Sequence, residues 1–471
     1  MTALRCLLAS LALLLCAHGA LAAPPPLTGR AYQLADQAYK ALAAKDLPRA
    51  LELSTEALQA APNHPTLLLL QADVLSQQGR TAEAVERVRG VSAQELGGTG
   101  LAQRGYLWLK AKNAAAAETD FTAAINSGEL SDEQRKNIST ELGYLALSRQ
   151  DDAAALKWFQ AALAAEPAGA SANLYADAGY AAMRAGRNRE AVDLLSRSVD
   201  QWHAAPQDKK PLDDASLYGM RRSIDSLERR WGGTVTLGSG TLATAASGLG
   251  AAAGDSRVLQ LGAEFFYQPE SIGYNNGRIF QLYANGFQSV WAEDEQVATG
   301  REARVAGVGA RYKPFQQLNL IFALERRFVI GETVGEDDWL VRIGYSAGGG
   351  LDWDPVRSSW WHWSVYTESV YFTHEKRLIQ PFDARVGRSF KIAGSPATVV
   401  TPFLGIAGEY DEAQQEQTAA GIGPGVHVRH WFRESRYRAY ASHVDFALQW
   451  RKRITDAERG QGLFGYVSVS F

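Results

Sequence analysis

The chain has 471 residues, with 48 Lys and Arg against 51 Asp and Glu and a formal net charge of −3. Its length points to two or more domains, and the near balance of charge argues against a nucleic-acid partner or a polybasic membrane anchor. No apolar run of about 18 residues follows the N-terminus, so no transmembrane helix is expected there.

Residues 1–22 read as a secretory signal: Arg5, then the apolar run "CLLASLALLLCA", then Ala20-Leu21-Ala22 as the cleavage site. Neither Cys6 nor Cys16 follows the small residues of a lipoprotein signal. Both cysteines would leave with this segment, which excludes disulfides and thiol chemistry from the mature protein.

Residues 30–214 are rich in Ala, Leu and Gln with helical periodicity. Ala50, Ala84, Ala117, Ala155 and Ala191 are 34, 33, 38 and 36 residues apart. Twelve residues before each stands another small residue: Ala38, Ala72, Gly105, Gly143 and Gly179. Small residues let two helices cross closely, and Pro62 and Pro167 stand where second helices end. Gly143 with Ala155 and Gly179 with Ala191 are the clearest packing pairs. The pattern resembles tetratricopeptide repeats, and the resemblance implies a solenoid with a concave surface for a protein or polymer. Residues 215–231 read as one amphipathic linker helix, "SLYGMRRSIDSLERRW", that caps the solenoid.

At Gly232 the composition turns to Gly, aromatic and β-branched residues. Leu259, Leu261, Ala263 and Phe265 alternate with Gln260, Gly262 and Glu264; Leu318 to Leu324 and Val444 to Trp450 alternate likewise. About twelve such runs follow, each close to the length of a tilted strand that crosses a bilayer. The reading for residues 232–471 is an antiparallel transmembrane β-barrel, apolar outside and wet inside. Trp231, Trp291, Trp339, Trp360, Trp361, Trp363, Trp431 and Trp450 are expected in interfacial girdles. The odd connections, Ala246–Ser256, Ala292–Gly300, Gly331–Asp337, Thr373–Leu378, Asp411–Gln417 and Arg453–Gly460, are longer and more acidic than most even ones. They are expected outside the cell, with the solenoid in the periplasm. The chain closes on Val467, Val469 and Phe471, two apart, as an outward strand face. A terminal aromatic after alternate apolar residues also resembles the signal read by the outer-membrane barrel assembly machinery.

No nucleophile elbow, HExxH motif or P-loop is found, and "GIGPGVHVRH" (Gly421 to His430) reads as strand glycines making room in the lumen. His427 and His430, three apart, fall on opposite strand faces and cannot chelate together. The acid pairs Asp337-Asp338 and Glu293-Asp294-Glu295 are expected in loops. No catalytic group, metal or cofactor is expected, and the chain does not read as an enzyme. Glu264, Arg311, Glu325, Arg342, Glu368, Arg385 and Asp445 are the candidate lumen residues. They would form a ladder of salt bridges that stiffens a narrow barrel, a two-signed channel offering hydrogen bonds to sugar hydroxyls, or both at once.

The order of solenoid then barrel resembles the tetratricopeptide-barrel exopolysaccharide exporters that serve cellulose and poly-N-acetylglucosamine secretion. The stretches "GVGARYKPFQQLNL", "DDWLVRIGYS", "DARVGRSF" and "HWFRESRYRAY" are similar to the C-terminal domain of the phage-adsorption protein A (NfrA-type) outer-membrane family. That resemblance implies an outer-membrane location, a role in moving a surface polysaccharide from an inner-membrane glycosyltransferase, and use as a phage receptor.

Overall fold

The computed structural model describes residues 26–166, 170–240, 256–331 and 336–471. The signal segment, Pro167, most of the Ala246–Ser256 connection and part of Gly331–Asp337 lie outside the described residues. The chain forms two compact units that divide between Ala170 and Ser171.

The first unit holds eight helices among the described residues: α1 (Gly29–Ala43), α2 (Leu47–Ala60), α3 (Pro65–Gln77), α4 (Thr81–Val88), α5 (Ala93–Lys110), α6 (Ala114–Ser127), α7 (Asp132–Ser148) and α8 (Asp152–Ala165). They pair as consecutive hairpins of the tetratricopeptide kind. The hairpin turn recurs: Lys45, Gly79, Lys112 and Gln150 all take positive φ, at 60°, 81°, 58° and 62°. A polar residue follows each, and Asp46, Asn113 and Asp151 cap the next helix by accepting a backbone N–H three residues on. Ala38, Ala50, Ala72, Ala84, Ala117 and Ala155 are fully buried. Gly105 and Gly143 lie where the helices cross. A Cβ on either would sit 2.5 Å from the ring of Phe121 or Phe159, the fully buried side chain of the facing helix. Arg104 on α5 makes a buried two-point pair with Asp120 on α6, at 2.6 and 2.7 Å. Trp108 donates to the same carboxylate, and Arg104 also donates to the Val91 carbonyl at the end of the α4 turn.

The second unit opens with α9 (Ala172–Arg184), α10 (Asn188–Ala204) and α11 (Asp214–Glu228). α9 and α10 repeat the hairpin: Gly186 has φ +75°, Gly179 and Ala191 are buried, and a Cβ on Gly179 would meet Leu195 at 2.7 Å. α11 ends at Glu228, and Trp231 already begins a strand, so the sequence-based helix to Trp231 runs too far. The β-branched and glycine text that begins at Gly232 pulls the backbone into the sheet.

Twelve long strands follow among the described residues: β1 (Trp231–Gly240), β2 (Val258–Tyr267), β3 (Arg278–Ala292), β4 (Arg304–Lys313), β5 (Leu320–Val329), β6 (Asp338–Gly349), β7 (Ser359–Phe372), β8 (Arg377–Ile392), β9 (Ser395–Asp411), β10 (Thr418–Phe432), β11 (Ser442–Arg453) and β12 (Gly462–Ser470). A two-residue strand, Tyr274–Asn275, pairs beside β3. Each long strand pairs antiparallel with its sequence neighbours, and β1 also pairs with β12, so the sheet is a closed twelve-stranded barrel. Gly233 and Phe471 exchange both backbone hydrogen bonds, at 2.9 and 3.0 Å. The terminal aromatic is therefore tied into the closing seam rather than free to fray.

Side chains alternate across the wall. On β11, Phe446, Leu448 and Trp450 are exposed outward, while Asp445, Ala447, Gln449 and Arg451 are buried inward. Phe265, Val308, Leu324, Val386 and Leu404 are each about half exposed on the same outer surface. A band of exposed large apolar groups of this extent is what lipid, not water, would cover. No helix among the described residues is long and apolar enough to cross a membrane, which leaves the strands unaddressed. Trp231, Trp291, Trp339, Trp361, Trp363 and Trp450 lie on the outside, but Trp360 and Trp431 are only 6% exposed. These two point inward, because Trp360 neighbours the outward Trp361 and a strand cannot show consecutive residues on one face. Asp338 is another departure. It begins β6 instead of lying in a loop, and it is buried, accepting backbone N–H groups of Trp339, His374 and Glu375.

Candidate functional site

The barrel encloses a cavity of about 530 Å³ lined by residues from most of the strands. Of the seven acidic and basic residues that the strand period assigns inward, Glu264, Arg311, Arg342, Glu368, Arg385 and Asp445 line it. Glu325 sits behind Arg342, buried, and accepts from Tyr283 Oη at 2.8 Å, Asn285 Nδ2 at 3.2 Å and Arg342 Nη1 at 2.7 Å.

Three clusters of charge divide the wall. In the first, Arg311 bridges Glu264 at 2.7 Å and Gln281 at 2.7 Å, with its guanidinium 5.1 Å from the Tyr283 ring. Arg342 then holds Glu368 at 2.8 and 3.1 Å, and Tyr366 donates to the same carboxylate. In the second, Arg385 pairs with Asp383 at 2.8 Å and lies 5.1 Å from the Phe403 ring. In the third, Asp445 receives Arg429 at 2.6 and 2.9 Å, with His427 Nε2 at 2.9 Å and His443 Nε2 at 3.2 Å. His430 bonds Thr398 on the other face of the strand, away from His427. Gly425 leaves space that the Phe403 ring occupies, whereas Gly421 and Gly423 lie against backbone carbonyls of Gly460 and Trp450. The glycines thus serve close backbone approach as much as room in the lumen.

Asp383, Tyr283, Tyr366, His427, Arg429, Gln449 and Arg451 are inward polar residues absent from the candidate lumen set. Arg451 is within its reach: Asp445, Ala447 and Gln449 share a face, and one more step of two lands on Arg451. Among the described residues no group of three or more His, Cys, Asp or Glu could hold a metal ion.

The even turns carry a second feature. Helices α10 and α11 meet three of them through polar contacts. Arg189 pairs with Glu270, and the Asn188 amide donates to the Tyr274 carbonyl at 2.6 Å. Tyr218 donates to Asp352 at 3.1 Å, and Arg222 pairs with Asp352 at 2.9 Å. Arg221 pairs with Glu434 at 2.8 Å, and Asp200 takes Tyr437 and Arg436. Burial and the Asp352 charge push the Tyr218 hydroxyl well above its ordinary pKa, and Arg189 holds Glu270 below the ordinary carboxylate value. At the other end, Arg377 binds Asp411 at 2.6 and 2.8 Å and Arg459 binds Glu409 at 3.2 Å, which stiffens the odd connections.

Residues 296–467 match the family model described as bacteriophage N adsorption protein A C-term, and residues 41–98 match a tetratricopeptide repeat model. Among solved structures, the MamA protein aligns at 16% identity and a TM-score of 0.32, covering 39% of this chain and 97% of its own. A tetratricopeptide repeat protein from Parabacteroides merdae aligns at 18% identity and a TM-score of 0.33, covering 42% and 74%. No curated protein matches the chain. The chain joins a tetratricopeptide-like helical region to a closed barrel, and over residues 296–467 that barrel is similar to the C-terminal domain of the bacteriophage N adsorption protein A family.

Proposed function

We propose that this is an outer-membrane exporter of an exopolysaccharide, with its repeats in the periplasm and its barrel conducting the glycan outward. The observation that carries the reading is a closed barrel with an apolar exterior around a cavity lined by both signs of charge. Paired acids and guanidinium groups hold polar hydrogen-bonding surface in place without a net field, which suits a strand of hydroxyls. The repeats would bind the polymer or the inner-membrane glycosyltransferase that makes it. Phe471, Val469 and Val467 would serve as the signal for barrel assembly. No bond is made or broken in this reading; the barrel steers. In planar bilayers the purified protein should give discrete conductance steps that a soluble glycan interrupts. A barrel that stays silent, even after removal of its odd connections, would end the reading.

The family match favours a second reading, in which the barrel is an anchor whose acidic outer connections are a phage receptor. Deleting residues 292–300 should then abolish adsorption and leave polysaccharide secretion intact. Loss of secretion with normal adsorption would count against it.

A further inference from the structure

Among the described residues, the cavity wall contains one arginine that no carboxylate pairs. Arg451 lines the cavity and is 4% exposed. Its Nε donates to Gln449 Oε1 at 2.8 Å, and its guanidinium lies 4.0 Å from the Phe464 ring centroid. Its Nη1 is buried and has no partner among the described residues. Every other arginine of the cavity wall has a carboxylate in direct contact: Arg311 has Glu264, Arg342 has Glu368, and Arg385 has Asp383. Gln449, the acceptor beside Arg451, is itself fixed, because its amide donates to the Gly405 and Gly423 carbonyls. A guanidinium taken out of water without a paired counter-charge is costly, and an anion held in the cavity would offset that cost. An Arg head presents a planar fork of donors, the geometry that fits a carboxylate. Phe382, Phe464 and Tyr466 line the same space, and aromatic faces suit the apolar face of a sugar ring. The cavity volume lies within the range of small-ligand sites.

We propose that Arg451 is the recognition point for the carboxylate of an acidic sugar unit, so that the glycan handled by this barrel is a polyuronate-type polymer. The inference deepens the export reading and rests on it. The probe is trigalacturonate, with cellotriose as the neutral trisaccharide, titrated calorimetrically into the full chain in detergent. The wild type should bind trigalacturonate at least tenfold more tightly than cellotriose. Arg451→Gln should erase that preference, and Arg451→Lys should keep part of it. Equal affinity for the two sugars in the wild type, or an unchanged preference in Arg451→Gln, overturns the proposal. The wild-type comparison stands even where a variant fails to fold. Conductance reports separately on the conduit: a silent barrel that prefers trigalacturonate keeps the site and discards the conduit, and a conducting barrel without preference does the reverse.

Discussion

Two residues of the solenoid show how burial sets the stakes of a charge. Asp120 is buried and accepts from Arg104 and Trp108, and the same Arg104 ties down the Val91 carbonyl. Asp120→Ala leaves a buried guanidinium unpaired and should cost about 3–5 kcal/mol, read as a lower midpoint in denaturation followed by helical circular dichroism. The opposite case is Glu141 on α7. Its pKa is raised by burial, and burial together with the Glu141 charge pushes up that of Tyr106 on α5. A carboxyl with a raised folded pKa supports the fold below its unfolded pKa and loses that support as pH rises through the folded value. Glu141→Gln should therefore stabilise the solenoid at pH 7. The gain should vanish as pH falls below the ordinary carboxylate value, which melting curves at pH 7 and below pH 4 would reveal.

At the scale of elements, the solenoid depends on what is missing from its crossings. Gly143→Ala drives a methyl group into the Phe159 ring and should destabilise the unit by about 1–3 kcal/mol, while an exposed alanine substitution nearby should not. The closing seam of the barrel depends on its last residue. Removing Phe471 deletes both backbone bonds to Gly233, each worth about 0.5–1.5 kcal/mol. It should lower the fraction of chain that runs as a heat-shiftable barrel in gels. Much of this architecture is legible in the sequence because two periods carry it. Small residues twelve apart mark each helical hairpin, and alternation marks each strand. Parity alone separates Asp445 from Phe446. It also separates Trp360 from Trp361, which composition cannot do, so a girdle drawn from tryptophan content misplaces Trp360 and Trp431. Carried two residues past Gln449, the same parity reaches Arg451. Asp338 reads as a solvated loop acid because no local pattern announces a carboxylate that anchors a distant turn, 36 residues away at His374. The grouping of α9, α10 and α11 with the barrel is equally silent in the sequence, since it rests on pairs such as Arg189 with Glu270, 81 residues apart.

The whole molecule depends on a barrel wall that is oily on one side and wet on the other. The sequence holds only two cysteines, Cys6 and Cys16, so single cysteines can report on chosen wall positions of the full chain. Nitroxide labels placed in liposome-embedded protein at Leu324, Val386 and Phe446 face outward, and labels at Ala323 and Ser468 face the cavity. The outward set should be quenched by oxygen dissolved in lipid and shielded from a water-soluble nickel chelate, with the inward set reversed. Equal access of the chelate to both sets would contradict that arrangement.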